Sequence, residues 1–195
     1  MIANTSLVTR AHDWIKTQLC TGEIAIDATV GNGHDTLFLA QTVGAKGKVY
    51  GFDIQQDALD TCYQRLVTNN ADKQVSLHHA GHETLPIVIP ETLQHGEIKA
   101  VMFNLGYLPG GDKQRTTYTS TTLSALNSAL PMLTQQGIIT ILAYSGHPGG
   151  QEETTSVKTW AASLNADNFK VIIETPPPSP RPSPELIIIN KLQLN

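Results

Sequence analysis

Three segments of the chain are apolar at almost every position: VMF at Val101–Phe103, IITILA at Ile138–Ala143 and LIIIN at Leu186–Asn190. A strand with one face in water alternates apolar and polar residues, whereas a strand covered on both faces can be apolar throughout. Short runs of this kind predict a parallel sheet sandwiched between helices. Helical periodicity supplies the cover. Thr5–Leu19 sets Leu7, Val8, Ala11, Ile15 and Leu19 along one side, making residues 1–20 an N-terminal helix. Further helices are expected at His34–Thr42, Gln55–Asn69, Thr117–Leu133 and Gly150–Leu164. Strands are expected at Glu23–Ala28, Lys48–Asp53, Gln74–His79, Lys99–Asn104, Gly137–Tyr144, Phe169–Glu174 and Glu185–Lys191, with Pro86–His95 a short helix or loop. A parallel crossover needs about a dozen residues or more, usually a helix. Only the proline-rich stretch 175–184 joins the last two strands, so that pair is predicted antiparallel. The expected fold is α/β, a seven-stranded, mostly parallel sheet with an antiparallel C-terminal strand and helices on both faces.

The 195 residues suffice for one domain, 1–195, with a full core. Hydrophobic content of 40% and charged content of 15% are those of a globular protein. The opening MIANTSLVTRAHDWI has no basic region followed by an apolar one, so no secretory leader is expected. The apolar runs are too short to cross a bilayer, and a cytoplasmic location is expected. Cys20 and Cys62 belong to no CxxC pattern and read as reduced thiols in or near the core. The net charge of −4 excludes a broad basic surface for duplex nucleic acid. Any RNA must be gripped by a local patch or across a dimer, or the substrate is small.

The chemistry begins at AIDATVGNGHDTLFLA, residues 25–40, where an apolar run ends on Asp27 and Gly31 and Gly33 precede a helix. Strand, glycine turn and helix make a nucleotide-cofactor corner, used for NAD and for S-adenosylmethionine (SAM). The NAD fingerprint wants a third glycine under the pyrophosphate, and Thr36 stands there instead. A pyrophosphate has no use for Asp27. SAM carries an ammonium that suits an acid and a carboxylate that suits backbone N–H groups. Asp53, at the tip of the second strand, is placed for the ribose hydroxyls. The set favours SAM, and with this turn the seven-strand pattern is that of a Rossmann-like class I methyltransferase. Asp27, Gly31, Asn32, Gly33, His34, Asp35, Thr36, Asp53, Ile54 and Gln55 form the expected cofactor set, although His34 and Asp35 equally suit helix capping. In HHAGHETL, His78 and His79 point to opposite faces of a strand, which argues against a metal site with His82. His82 and Glu83 are expected beside the adenine.

The fourth strand ends at Asn104 in FNLGYLPGGDKQR, at the edge where α/β sheets bind ligands. Asn104-Leu-Gly-Tyr107 has the outline of the Asn-Pro-Pro-Tyr loop of amino-methyltransferases. There the Asn oxygen and the next carbonyl accept from the target amine and the Tyr ring stacks on the base. Asn104 is therefore expected to serve both cofactor and catalysis, Tyr107 both catalysis and substrate, and Asp112 catalysis. Lys113 and Arg115 on this loop, Tyr144 and His147 on the loop after the fifth strand, and Arg181 are the expected substrate contacts. A structural turn with a packed Tyr is the competing reading of the first loop. Glu152 and Glu153 read as acids favouring a helix N-terminus.

DATVGNGHDT, VYGFDIQ, GHE, FNLGYLPGGD and Tyr-x-GHPGG, in this order, resemble a small bacterial family of SAM-dependent rRNA methylase-like proteins, which includes tRNA 5-aminomethyl-2-thiouridine methyltransferases. The resemblance covers roughly Gly22 to Leu164. It implies a class I fold, often dimeric, SAM as cofactor, and methylation of the aminomethyl nitrogen on the wobble (2-thio)uridine of tRNA. The chain departs from the family at TPPPSPRPSPELIII, where the family tends to an Asn-rich segment. An rRNA or small-molecule methyltransferase remains open on the acidic charge, as does a SAM-binding module without catalysis.

Overall fold

The computed structural model describes residues 6–108, 116–175 and 183–193. In chain order its elements are α1 (Leu7–Lys16), β1 (Ile24–Asp27), α2 (His34–Val43), β2 (Lys48–Asp53), α3 (Gln56–Thr68), β3 (Val75–His79) and α4 (Leu85–Val88). There follow β4 (Ile98–Leu105), α5 (Thr119–Met132), β5 (Leu133–Ala143), α6 (Gly150–Ala162), β6 (Phe169–Glu174) and β7 (Glu185–Lys191). The strands form one sheet in the order β3-β2-β1-β4-β5-β7-β6. β1 to β5 pair in parallel, and β7 runs antiparallel to both β5 and β6, as the short final connection requires.

Side-chain alternation divides the core into two layers. Ile139 and Ile141 of β5 and Ile187 and Ile189 of β7 pack on Leu126 and Ala129 of α5 and Val157 and Ala161 of α6. Ile138, Leu142, Leu186 and Ile188 point the other way, beneath Ile15 of α1, Leu39 of α2 and Leu59 and Leu66 of α3. Burying one such side chain is worth about 1.5–3 kcal/mol. Both faces of β5 and β7 contribute, which is why these strands carry apolar runs and not an alternation.

Local chemistry moves several expected boundaries. α1 begins at Leu7 because the Ser6 hydroxyl caps it, accepting from Thr9 N at 3.2 Å. It ends at Lys16, where the Thr17 hydroxyl turns back onto Trp14 O at 2.6 Å, so Leu19 is buried beyond the helix. β5 starts at Leu133, pairing with Ile98 across a register shift; exposed Gln135 and Gln136 hide that part of the strand from the apolar pattern. Pro86–His95 resolves into the end of α4 and a 3-10 turn at Glu91–Leu93. Cys62 is buried, but Cys20 is exposed and not in the core.

Strand order reverses between β1 and β4, which opens a crevice at their C-terminal ends. Asp27 and Asn104 stand at this point, and β2 and β3 bring Asp53 and the Gly81–Glu83 segment alongside. Among the described residues, no helix is long and apolar enough to cross a membrane.

Candidate active site

The glycine turn is held from behind. Gly31 and Gly33 adopt left-handed φ of 50° and 76°. A Cβ on Gly33 would lie 2.7 Å from the Cys62 Cα, so only glycine lets the turn sit directly on α3. Asp27 accepts from Thr29 N at 3.1 Å and from the Thr36 hydroxyl at 2.6 Å, tying strand end to helix start. From α3, Arg65 Nε donates to Asn32 O at 2.8 Å and Nη2 lies 3.2 Å from His34 Nε2. Three members of the expected cofactor set belong to this support. Asp27 and Thr36 are 1% and 0% exposed and, with Gly33, stand behind the cleft wall. Thr36 replaces the third glycine because its hydroxyl is the anchor of Asp27.

Burial drives the Asp27 carboxyl up to about 7; the nearby charges of Asp35 and Asp53 add to this, and the Thr36 and Thr29 hydrogen bonds oppose it. The folded state therefore keeps a proton that the unfolded chain releases near pH 3.8. The consequence for stability has a definite sign. As pH rises from about 4 to about 7 the unfolded state ionises first, so this group lowers stability across that window and no further above it. Asp27→Asn removes the effect. Thermal unfolding is expected to show the variant gaining on the wild type from pH 4.5 to 7.5 and levelling beyond. Parallel curves for the two proteins would exclude a protonated Asp27.

In front of the turn lies a cleft of about 800 Å³. Asp53 lines it, with Oδ2 accepting from Gly31 N at 2.8 Å and Oδ1 from Gln55 N at 2.9 Å. Gly31, Asn32, His34, Asp35, Ile54 and Gln55 also line the cleft, Ile54 with its side chain exposed. His82 and Glu83 close the far wall. His82 Nδ1 lies 3.3 Å from Ala28 O and its ring packs edge-on against Phe103, and burial holds its pKa below the usual histidine value. His78 packs instead on Phe52, and no three His, Cys, Asp or Glu side chains among the described residues gather as a metal would need.

Asn104 enters from β4. Its backbone N–H donates to the Thr29 hydroxyl at 2.7 Å, and its side-chain Nδ2 makes a long contact of 3.4 Å to Asp35 Oδ2. An ionised carboxylate only accepts, so the amide turns its NH₂ onto Asp35 and leaves Oδ1 as an acceptor for a ligand in the cleft. The following limb is braced by a buried acid in the first turn of α6, where the sequence places it. Glu153 is 2% exposed, with Oε2 accepting from the Thr117 hydroxyl at 2.7 Å and Oε1 from Thr122 at 2.6 Å. Thr117 in turn accepts from Gly106 N at 3.0 Å. Glu153 is thus a brace for the Asn104–Tyr107 limb; its place in the first turn of α6 gave only the dipole reading.

Tyr107 and Tyr144 line the cleft, and burial followed by the Asp35 charge raises the Tyr144 hydroxyl pKa. His147, expected to meet substrate, sits behind this wall. Its Nδ1 lies 3.3 Å from the Thr116 hydroxyl and 3.0 Å from Pro148 O, and its ring stands edge-on to Tyr107. It buttresses the tyrosine. Tyr118 at the start of α5 and Val8 of α1 also line the cleft. The apolar side of α1 contained a signal for Val8, but nothing local marked Tyr118. Asp112, Lys113, Arg115 and Arg181 lie outside the described residues.

Known proteins resemble this chain in sequence and fold. A family model described as "Putative rRNA methylase" matches residues 49–190. A tRNA (mnm(5)s(2)U34)-methyltransferase, chloroplastic, of Arabidopsis thaliana is 40% identical over 156 residues, covering 76% of this chain. The chain spans 56% of the length of that relative. The solved structure of a "putative rRNA-methylase" from Clostridium thermocellum superposes with a TM-score of 0.92 at 36% identity, covering 98% of this chain and 100% of the other. A "putative methyltransferase" of Streptococcus mutans, solved in complex with SAH, gives 0.86 at 34% identity, with the same coverage. With the match of fold, sequence and family model over most of its length, the chain belongs to the rRNA methylase family of class I methyltransferases.

Proposed function

We propose that the chain is a SAM-dependent N-methyltransferase that acts on the 5-aminomethyl group of the wobble (2-thio)uridine in tRNA. The observation that carries this reading is the Asn104 carboxamide, turned by Asp35 so that its oxygen can accept from an amine in the cleft. The Arabidopsis relative names the same chemistry.

The cleft residues fit SAM. Asp53 faces the space with a carboxylate already ordered by two backbone N–H groups, and ribose hydroxyls would complete its acceptor capacity. Asp35 and Asp53 give the site a negative field suited to a cationic ligand. When bound, SAM supplies a methyl group on a sulfonium, already activated as an electrophile. The chain's own task is then to position. Asn104 Oδ1 and the Leu105 carbonyl accept from the amine and aim its lone pair, while Tyr107 stacks on the base. His82 and Glu83 border the adenine.

The same reading makes the enzyme a cytoplasmic homodimer, with Asp112, Lys113, Arg115 and Arg181 joining the site from segments outside the described residues. The three cations would grip phosphates, so KM for tRNA is expected to rise with salt. Three released phosphate contacts correspond to a log–log slope of about −2 to −3 in affinity. The net charge of −4 favours one other reading, a small-molecule methyltransferase, and a KM independent of salt would support it. Mass spectrometry of tRNA nucleosides from a deletion strain tests the function directly. Accumulated 5-aminomethyl-2-thiouridine is the expected result, and an unchanged nucleoside profile would refute the tRNA substrate.

A further inference from the structure

We propose that His12, on α1, is a positioning residue for methyl transfer, acting through Asp35 to hold the Asn104 carboxamide with its oxygen toward the cleft. The proposal rests on the reading of Asn104 as the acceptor for the target amine.

The geometry is a three-residue line drawn from three elements. Asp35, in the first turn of α2, is 6% exposed. Its Oδ1 lies 2.7 Å from His12 Nε2, and its Oδ2 meets Asn104 Nδ2 at 3.4 Å. Asp35 as a carboxylate has no proton to give, so both neighbours must donate to it. This fixes the Nε2–H form of His12 and the orientation of the Asn104 amide together. Protonation of His12 at Nδ1 leaves the Nε2–H donor in place, so the line does not depend on the charge of the imidazole.

His12 is itself well held. Its ring stacks on Phe38, one turn beyond Asp35 on α2, with centroids 3.8 Å apart and planes 7° from parallel. Lys16, one turn beyond His12 on α1, places its ammonium 5.5 Å from the same Phe38 ring. The two helices thus present matching pairs at helical spacing, His12 and Lys16 against Asp35 and Phe38. The side chain of His12 is 20% exposed and that of Asp35 is 8% exposed, so the bond forms where water competes little for either partner. With His12 gone, one oxygen of Asp35 loses its donor and the carboxylate is free to rotate away from Asn104. The target amine then meets a carboxamide with either end forward.

Three variants separate this role from packing. His12→Ala is expected to lower kcat about tenfold, with KM for tRNA and Kd for SAH within about threefold of wild type. His12→Gln, whose Nε2 amide can reach the same carboxylate, is expected to recover kcat to within about threefold. Asp35→Asn tests the middle of the line. In the protein without ligand, the Asn104 side-chain amide resonances should shift in His12→Ala and Asp35→Asn and return to their places in His12→Gln. A wild-type kcat in His12→Ala overturns the proposal, as does a His12→Gln variant as slow as the alanine. Unmoved Asn104 resonances in His12→Ala also overturn it. If the wild-type protein methylates no tRNA amine, the functional reading fails instead, and the resonance shifts still report on the His12–Asp35–Asn104 line.

Discussion

Asn104→Ala is expected to lower kcat by about a hundredfold or more while changing SAH affinity by less than about tenfold, roughly 1.4 kcal/mol. A methyl transfer needs the nitrogen lone pair in line with the bond that breaks, and orientation of this kind is a large part of what such an enzyme contributes. The Asn104 backbone is anchored on the Thr29 hydroxyl at 2.7 Å and the next limb on Thr117 and Glu153, so truncating the side chain leaves the loop in place. What disappears is one acceptor. Asn104→Asp returns an acceptor but not its orientation, because a second carboxylate at this position would face Asp35 and could not donate to it. Single-turnover rates measured beside calorimetry on the same protein check the split. A normal transfer rate in Asn104→Ala would sink the amine-positioning reading, and SAH affinity lost in proportion to rate would move Asn104 to a cofactor role alone.

Much of this architecture was legible because it is written at short range. The runs in β5 and β7 require cover on both faces, and the short final connection requires an antiparallel pair; both follow from a few neighbouring residues. The bounds of β2, β6 and β7 coincide with the expected ones for the same reason. What the sequence does not show is at long range. Asp27 carries the right chemistry for a cofactor ammonium, but no local pattern says which side of a turn a carboxylate faces, and here it faces inward onto Thr36. Glu153 satisfies a helix-dipole argument so well that its partners Thr117 and Thr122, more than thirty residues away, are invisible from its neighbourhood. His147 lies on a loop at the expected edge of the sheet, yet its ring packs against Thr116 and Tyr107, which line the cleft, while His147 itself does not. The His12–Asp35 contact likewise needs two helices to pack before it exists.

Asp53→Ala is expected to weaken SAH binding by about 1.5–3 kcal/mol, the worth of hydrogen bonds to a charged acceptor, or roughly ten- to more than a hundredfold in Kd. The carboxylate has two tasks that the substitution removes together. It would accept the ribose hydroxyls, and it holds the turn through Gly31 N at 2.8 Å and the start of α3 through Gln55 N at 2.9 Å. Gly31 occupies a left-handed φ of 50°, and with its N–H released the turn keeps only the Val30 N–H bond to Phe52 O, at 3.0 Å, as a backbone tie to β2. A ligand lacking the ribose hydroxyls separates the two contributions. Against a 2′,3′-dideoxy analogue of SAH, Asp53→Ala should cost less than against SAH, and the remaining loss measures the turn alone. Equal losses for both ligands would make Asp53 a support of the glycine turn and not a ribose acceptor. Unchanged SAH affinity in calorimetry would remove Asp53 from the site altogether, and with it the argument that chose the position of the ribose in this cleft.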